Sequence, residues 1–117
     1  MSEEKIIIRK WNVYLADLNP RYKAEPGKIR PVVVIQTDML NNVHPTTIIC
    51  PISTNVQPKI SLLRVHLRDR EAGLGQVSDI LIDQVRPIDN SRFRKRLGAL
   101  DNSSIVKLRE NLRLILD

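Results

Sequence analysis

The sequence predicts a mainly β domain closed by one C-terminal helix, built as a twisted antiparallel sheet or small barrel. Three observations predict it. Short β-branched runs separated by Pro, Gly and Asn recur from Trp11 to Pro87, no strand-helix-strand alternation occurs, and only the last segment carries a helical period. A chain of 117 residues buries one core but not two, so 1–117 is read as a single domain, with 1–9 as a flexible N-terminal extension.

The elements follow in order. Trp11 to Leu18 alternates β-favouring residues and stops at Asn19-Pro20, which reads as a first strand. Residues 19–29 hold Pro20, Pro26, Gly27 and three basic residues without either period, which reads as a long exposed loop of the kind that carries binding function. Pro31-Val32-Val33-Val34-Ile35 is an unbroken apolar run, expected for a central strand covered on both faces, with Pro31 at its first position or on an unpaired edge. A turn at Asn41 to Pro45 leads into a second core strand over Thr46 to Ile52. Ser61 to Leu67 alternates, placing Leu63, Val65 and Leu67 on one face and Arg64 and His66 together on the other. Gly73 and Gly75 precede a last major strand over Ser78 to Pro87. Ile105, Leu108, Leu112 and Ile115, spaced three or four apart behind Asp101, Ser103 and Ser104 as candidate N-caps, predict the closing helix with these residues toward the core.

Composition narrows the chemistry. Nineteen Lys and Arg against thirteen Asp and Glu leave a formal charge of +6, which favours a polyanionic partner. Aromatic residues are only 3% of the chain, so stacking of several bases on exposed rings is poorly supplied, and contacts to phosphate and sugar are the better expectation. Cys50 is the sole cysteine. It cannot form an intrachain disulfide, and Ile49 and Pro51 beside it predict a buried, inert thiol. No apolar run nears the roughly 20 residues that span a bilayer, and no signal peptide is legible, so the expectation is a cytoplasmic protein with no membrane association.

No CxxC pair, HExxH or Gly-rich phosphate loop is present, and no nucleophile elbow accompanies His44 or His66. Neither a metal site nor a cofactor is expected. What stands out is arginine near predicted strand ends, at Arg30, Arg64, Arg86 and Arg92, with hydroxyls at Ser53, Thr54 and Ser78. Guanidinium groups bind phosphate bidentately and stay charged, so they can stabilise a phosphate that gains charge in a transition state. These residue types suffice for RNA transesterification, in which the ribose 2′-OH is the nucleophile and the protein aligns it.

The order of segments resembles a known family. Val13 to Pro20 with Asp17-Leu18-Asn19-Pro20, then Glu25, then Arg30-Pro31 before Val32 to Ile35, is similar to the opening of the MazF/PemK toxins. Pro51-Ile52-Ser53, Ser78 to Arg86 with Pro87-Ile88-Asp89, and Arg92-Phe93 through Leu97-Gly98-Ala99-Leu100 agree in order and spacing, so the likeness runs from about residue 10 to the end. It implies an SH3-like barrel with a helix, working as a homodimeric, metal-independent, sequence-specific endoribonuclease that cleaves single-stranded RNA and is neutralised by a cognate antitoxin with an acidic segment. The family's catalytic arginine and hydroxyl correspond to Arg30 and Ser53. RNA contacts are implied at Glu25 and Lys28 in or beside the loop, and at Gln84 and Ser78, and the residue types add Thr54, Arg64 and Arg86. The general base stays open among His66, Glu25 and a 2′-OH activated by its own phosphate contacts.

Two positions depart from the pattern. Lys10-Trp11-Asn12 stands where the family usually reads Arg-Gly-Asp, and Lys23-Ala24 where Gly-Ser usually precedes the glutamate. The first bears on the groove edge or dimer contact, the second on the hinge of the substrate loop. The basic run Arg92, Arg94, Lys95 and Arg96 reads either as a charged surface segment or as the seat of an acidic tail. The rival reading from another class is a non-catalytic toxin of the same fold that poisons DNA gyrase, or a plain nucleic-acid-binding SH3-like module.

Overall fold

A computed structural model describes residues 5–19 and 28–116. Seven strands carry the domain: β1 (Asn12–Asp17), β2 (Ile29–Val34), β3 (Thr46–Ser53), β4 (Arg64–Leu67), β5 (Ser78–Leu81), β6 (Arg86–Asp89) and β7 (Phe93–Ala99). Helix α1 (Asn102–Leu116) follows them. The sheet runs β4-β5-β3-β2-β1-β7, with β6 also on β3 and all pairings antiparallel. A mainly antiparallel sheet with one terminal helix is the predicted class.

β3 is the hub. On one edge it pairs with β2, from Val34↔Ile49 to Val32↔Pro51. Its other edge is shared, since Thr46 to Ile49 pair with β6 while Ile52 and Ser53 pair with β5. Between the pairs Ile52↔Ile80 and Ile49↔Arg86, β3 advances 52 − 49 = 3 residues while the opposing chain advances 86 − 80 = 6. The surplus is extruded as the single 3₁₀ turn Ile82–Gln84, with Ile82 turned into the core and Asp83 and Gln84 exposed. The strand predicted over Ser78 to Pro87 is therefore two strands divided by a turn. Nor is it the last: Arg94, Lys95 and Arg96 of the basic run, read either as a charged surface segment or as the seat of an acidic tail, lie on edge strand β7. Its alternation is hidden because Arg94, Lys95 and Arg96 are all exposed, a common composition for an edge.

The central strands are buried on both faces, as the apolar run predicts. Val33 and Cys50 face a core shared with Ile80, Ile82 and Leu108 of α1, while Val32, Val34 and Ile49 face a second core around Tyr14 and Phe93. Pro31 is the third residue of β2 and not the first; it is tolerated because pairing with β3 begins only at Val32. β4 is shorter than predicted. Leu63 takes a left-handed backbone (φ 64°) and gives its N–H to Asn111 Oδ1 of α1 at 2.7 Å, so the ladder starts at Arg64. On α1, Leu108 is fully buried and Leu112 packs on the core, but Ile115 is 37% exposed, so the predicted apolar stripe leaves the core before the helix ends.

Residues 5–9, predicted as flexible, are held in place. Asn42 accepts the Ile8 N–H and donates to the Ile8 carbonyl, both at 2.8 Å, and the Tyr14 hydroxyl bonds the Arg9 N–H and the Ile7 carbonyl at the same distance. Trp11, where a glycine is usual, has φ 67°, a region that costs a bulky side chain strain. Its ring is held between Lys10 Nζ, 4.6 Å from the centroid, and Arg109 of α1 at 5.4 Å, which ties the start of β1 to the helix.

The turn at 68–75 closes the domain. Arg70 and Ala72 are left-handed there, and a Cβ on Gly73 would lie 2.2 Å from the Leu97 carbonyl oxygen, while one on Gly98 would lie 2.6 Å from the Ala72 carbonyl carbon. Backbone meets backbone at both glycines. From this turn, the buried Glu71 braces the start of α1: it accepts the Asp101 N–H at 3.2 Å, the Ser104 hydroxyl at 2.6 Å and the Arg68 N–H at 3.4 Å. Its negative charge lies at the helix's positive end. Asp101, one of the candidate N-caps, stands just before the helix and accepts the Ile105 N–H through its carbonyl at 3.0 Å, while its own N–H is held from 30 residues upstream.

Glu71→Ala should cost about 2 kcal/mol of stability, measured by urea unfolding, because it leaves the Asp101 N–H and the buried Ser104 hydroxyl without their acceptor. Burial, and then the negative charge of Asp83, push the Cys50 thiol up to about 12. Iodoacetamide at pH 8 should leave native protein unmodified and label it only in denaturant.

Candidate active site

Arg30 is the second residue of β2 and Ser53 the last of β3. The register that pairs Val32 with Pro51, carried two residues outward, sets Arg30 opposite Ser53, and directly opposed residues in antiparallel strands share a face. Both line a depression of about 230 Å³ floored by Leu18, Pro51, Ile52 and Leu81, with Gln84 and Arg86 on its rim. Gln84 reaches it because the surplus turn between β5 and β6 lifts it off the sheet. Two larger depressions, of about 380 and 480 Å³, flank the N-terminal segment, but neither joins an arginine to a hydroxyl.

The groups around the depression are available to a ligand. Among the described residues, the guanidinium groups of Arg30 and Arg86 have no hydrogen-bond or ion-pair partner, and both side chains are exposed. Ser53 Oγ accepts the Asn55 N–H at 3.0 Å, which fixes its direction while leaving its own proton without an acceptor among those residues. Two cations, one donor hydroxyl and one carboxamide around an apolar floor suit a phosphodiester with an attached base.

The remaining predicted residues divide. Thr54 and Lys28 are exposed and flank the depression in the chain, Lys28 holding the Leu18 N–H through its carbonyl at 3.0 Å. Glu25 lies outside the described residues. Ser78 is buried and gives its hydroxyl to the Gln76 carbonyl at 3.0 Å, so it serves the fold and is not presented to a ligand. Arg64 is also committed, to Asp79 Oδ2 at 2.9 Å and the Asn55 carbonyl at 3.0 Å. Arg92 bonds the Asp17 and Asn19 carbonyls, clamping the end of β1 where the loop departs. His66 meets Asp79 Oδ1 at 2.6 Å through Nδ1 and the Ile60 carbonyl at 3.0 Å through Nε2, so both ring nitrogens face acceptors of the protein itself.

Sequence reasoning missed Asp79. Fully buried on β5, it is the registered neighbour of both Ser53 on β3 and His66 on β4. The available signal was Arg64 and His66 on one strand face, because a guanidinium and an imidazole turned toward a sheet call for an acceptor opposite. Burial pushes the Asp79 carboxyl up, but bonds from the Gln57 N–H, His66 and Arg64 outweigh it and hold the group below the ordinary range. With the folded value depressed, its stabilisation is present at neutral pH and is lost only as pH falls below that range.

The family model described as a PemK-like, MazF-like toxin of type II toxin-antitoxin systems matches residues 9–116. Endoribonuclease EndoA of Bacillus subtilis (strain 168) is 34% identical over 111 residues, covering 95% of this chain and 96% of that protein. Endoribonuclease MazF of Staphylococcus epidermidis is 34% identical over 102 residues, covering 87% and 85%. Among solved structures, MazF of Deinococcus radiodurans shares the fold with a TM-score of 0.75 at 23% identity, covering 96% of this chain and 98% of that one. Agreement over nearly the whole length, in sequence and in strand order alike, makes this chain a member of the PemK-like, MazF-like toxin family of type II toxin-antitoxin systems.

Proposed function

We propose that this chain is an endoribonuclease that cleaves single-stranded RNA by transesterification, with Arg30 and Ser53 acting on one ribose-phosphate linkage. The observation that carries the reading is their convergence on one depression from adjacent strand ends, each with its donors uncommitted to the described residues. The names of two close relatives, both endoribonucleases, support it.

In this reaction the 2′-oxygen attacks phosphorus, the bond to the 5′-oxygen breaks, and the products are a 2′,3′-cyclic phosphate and a 5′-hydroxyl. Arg30 binds the phosphate and offsets the charge that gathers on its oxygens; a guanidinium stabilises charge and does not act as a base. The Ser53 hydroxyl donates to a phosphate oxygen or to the departing 5′-oxygen. His66 is occupied on both nitrogens, which leaves Glu25 or the 2′-OH itself, acidified by the phosphate contacts, as the remaining candidates for the proton transfer. Arg86 and Gln84 take the neighbouring phosphate and base, and no step requires a metal ion.

The working form is a homodimer, neutralised in the cytoplasm by an antitoxin whose acidic segment answers the +6 charge. A solved MazE-MazF complex of Deinococcus radiodurans shares this fold with a TM-score of 0.75 at 19% identity, and so offers a precedent for such pairing.

Purified protein incubated with a long RNA should yield defined fragments with or without EDTA. Intact RNA together with inhibited gyrase would replace this reading with the rival one. Arg30→Ala should lower the cleavage rate at least about 100-fold, and Ser53→Ala about 100-fold, with unchanged melting temperatures. An all-deoxy strand should bind and survive; its cleavage would refute the 2′-OH mechanism.

A further inference from the structure

We infer that Asp79 is a positioning residue, which aims the Ser53 hydroxyl through Arg64 and the backbone of Asn55. The inference rests on the nuclease reading. It adds a group that touches neither the depression nor any ligand in it.

Three links connect the carboxylate to the hydroxyl. Asp79 Oδ2 holds Arg64 Nη1 at 2.9 Å, the same nitrogen holds the Asn55 carbonyl at 3.0 Å, and the Asn55 N–H is the donor that fixes Ser53 Oγ at 3.0 Å. Two further bonds tie down the chain beyond. Oδ2 accepts the Gln57 N–H at 2.9 Å, and Oδ1 holds His66, whose other nitrogen meets the Ile60 carbonyl at 3.0 Å.

Residues 54–60 need this tether. They belong to no strand, and their own backbone bonds are two short turns, Val56 to Thr54 and Ile60 to Gln57, both at 3.0 Å. One buried carboxylate thus bonds Gln57 directly and holds the two β4 side chains, Arg64 and His66, that bond the Asn55 and Ile60 carbonyls. Arg64 and His66 each bond the one carboxylate, so Arg64 is a strut and not a free RNA contact, which explains why its guanidinium turns inward. A reacting hydroxyl must hold its angle closely, and small errors of aim cost large factors in rate.

The test is a double-mutant cycle. An asparagine at position 79 turns an amide N–H₂ toward donors it cannot accept from, so Asp79→Asn should lower kcat about ten- to a hundredfold with little change in KM. In a Ser53→Ala background the same change should have almost no further effect, because the hydroxyl it aims is gone. Arg64→Met removes the one nitrogen that joins Asp79 Oδ2 to the Asn55 carbonyl, and should reproduce the kcat loss and its dependence on Ser53 if Asp79→Asn does not fold. Hydrogen exchange should quicken at the Asn55 and Gln57 amides in both variants. Equal losses of kcat with and without Ser53, or unchanged exchange at those amides, would overturn the inference. Wild-type protein that leaves RNA intact would instead overturn the nuclease reading, and the exchange measurement would still judge the tether.

Discussion

Eight residues of β3 serve three partner strands, and the shape of the molecule follows from how that demand is met. β2 occupies one edge; β6 and β5 divide the other. Because β5 and β6 are consecutive in the chain and must both lie antiparallel to one strand, the connection between them carries more residues than β3 has places for. The excess leaves the sheet as a turn beside the end of β3, which is also where β2 begins. A site therefore forms at this corner from ordinary pairing geometry: one arginine, one hydroxyl and one carboxamide meet there although 54 residues separate the first from the last in sequence (84 − 30 = 54).

The same geometry accounts for what could be read in advance. The buried central strands and the helix were legible because their periods are produced by burial, and burial acts residue by residue. Arg30 and Ser53 were picked out by the family pattern, and pairing sets them side by side. The division of Ser78 to Pro87 was not, since Ile80, Ile82 and Val85 continue the apolar count through the break; only the number of places available on β3 reveals it. β7 was hidden by its own composition, because an edge strand whose middle is three consecutive cations has no apolar alternation to read.

Partnership escaped the sequence more than position did. Ser78 and Arg64 were sensible ligand candidates by residue type, yet one is buried on a nearby carbonyl and the other is drawn inward by Asp79. The start of α1 shows the same limit: the Asp101 N–H and the Ser104 hydroxyl find their acceptor in a carboxylate from the 68–75 turn. Hydrogen-bonding capacity is written in one dimension, but which donor meets which acceptor is decided by a sheet that only exists once the chain has folded.

The contact between Gly73 and Gly98 bears on how this domain can be recombined with others. Each glycine leaves the room that the opposing backbone occupies, so turn 68–75 and strand β7 form a matched pair from separate parts of the chain. A chimera that takes β7 from a relative while keeping the local turn, or the reverse, brings together two halves shaped for other mates. Exchange between homologues should therefore succeed only when the crossover points move both segments as one block.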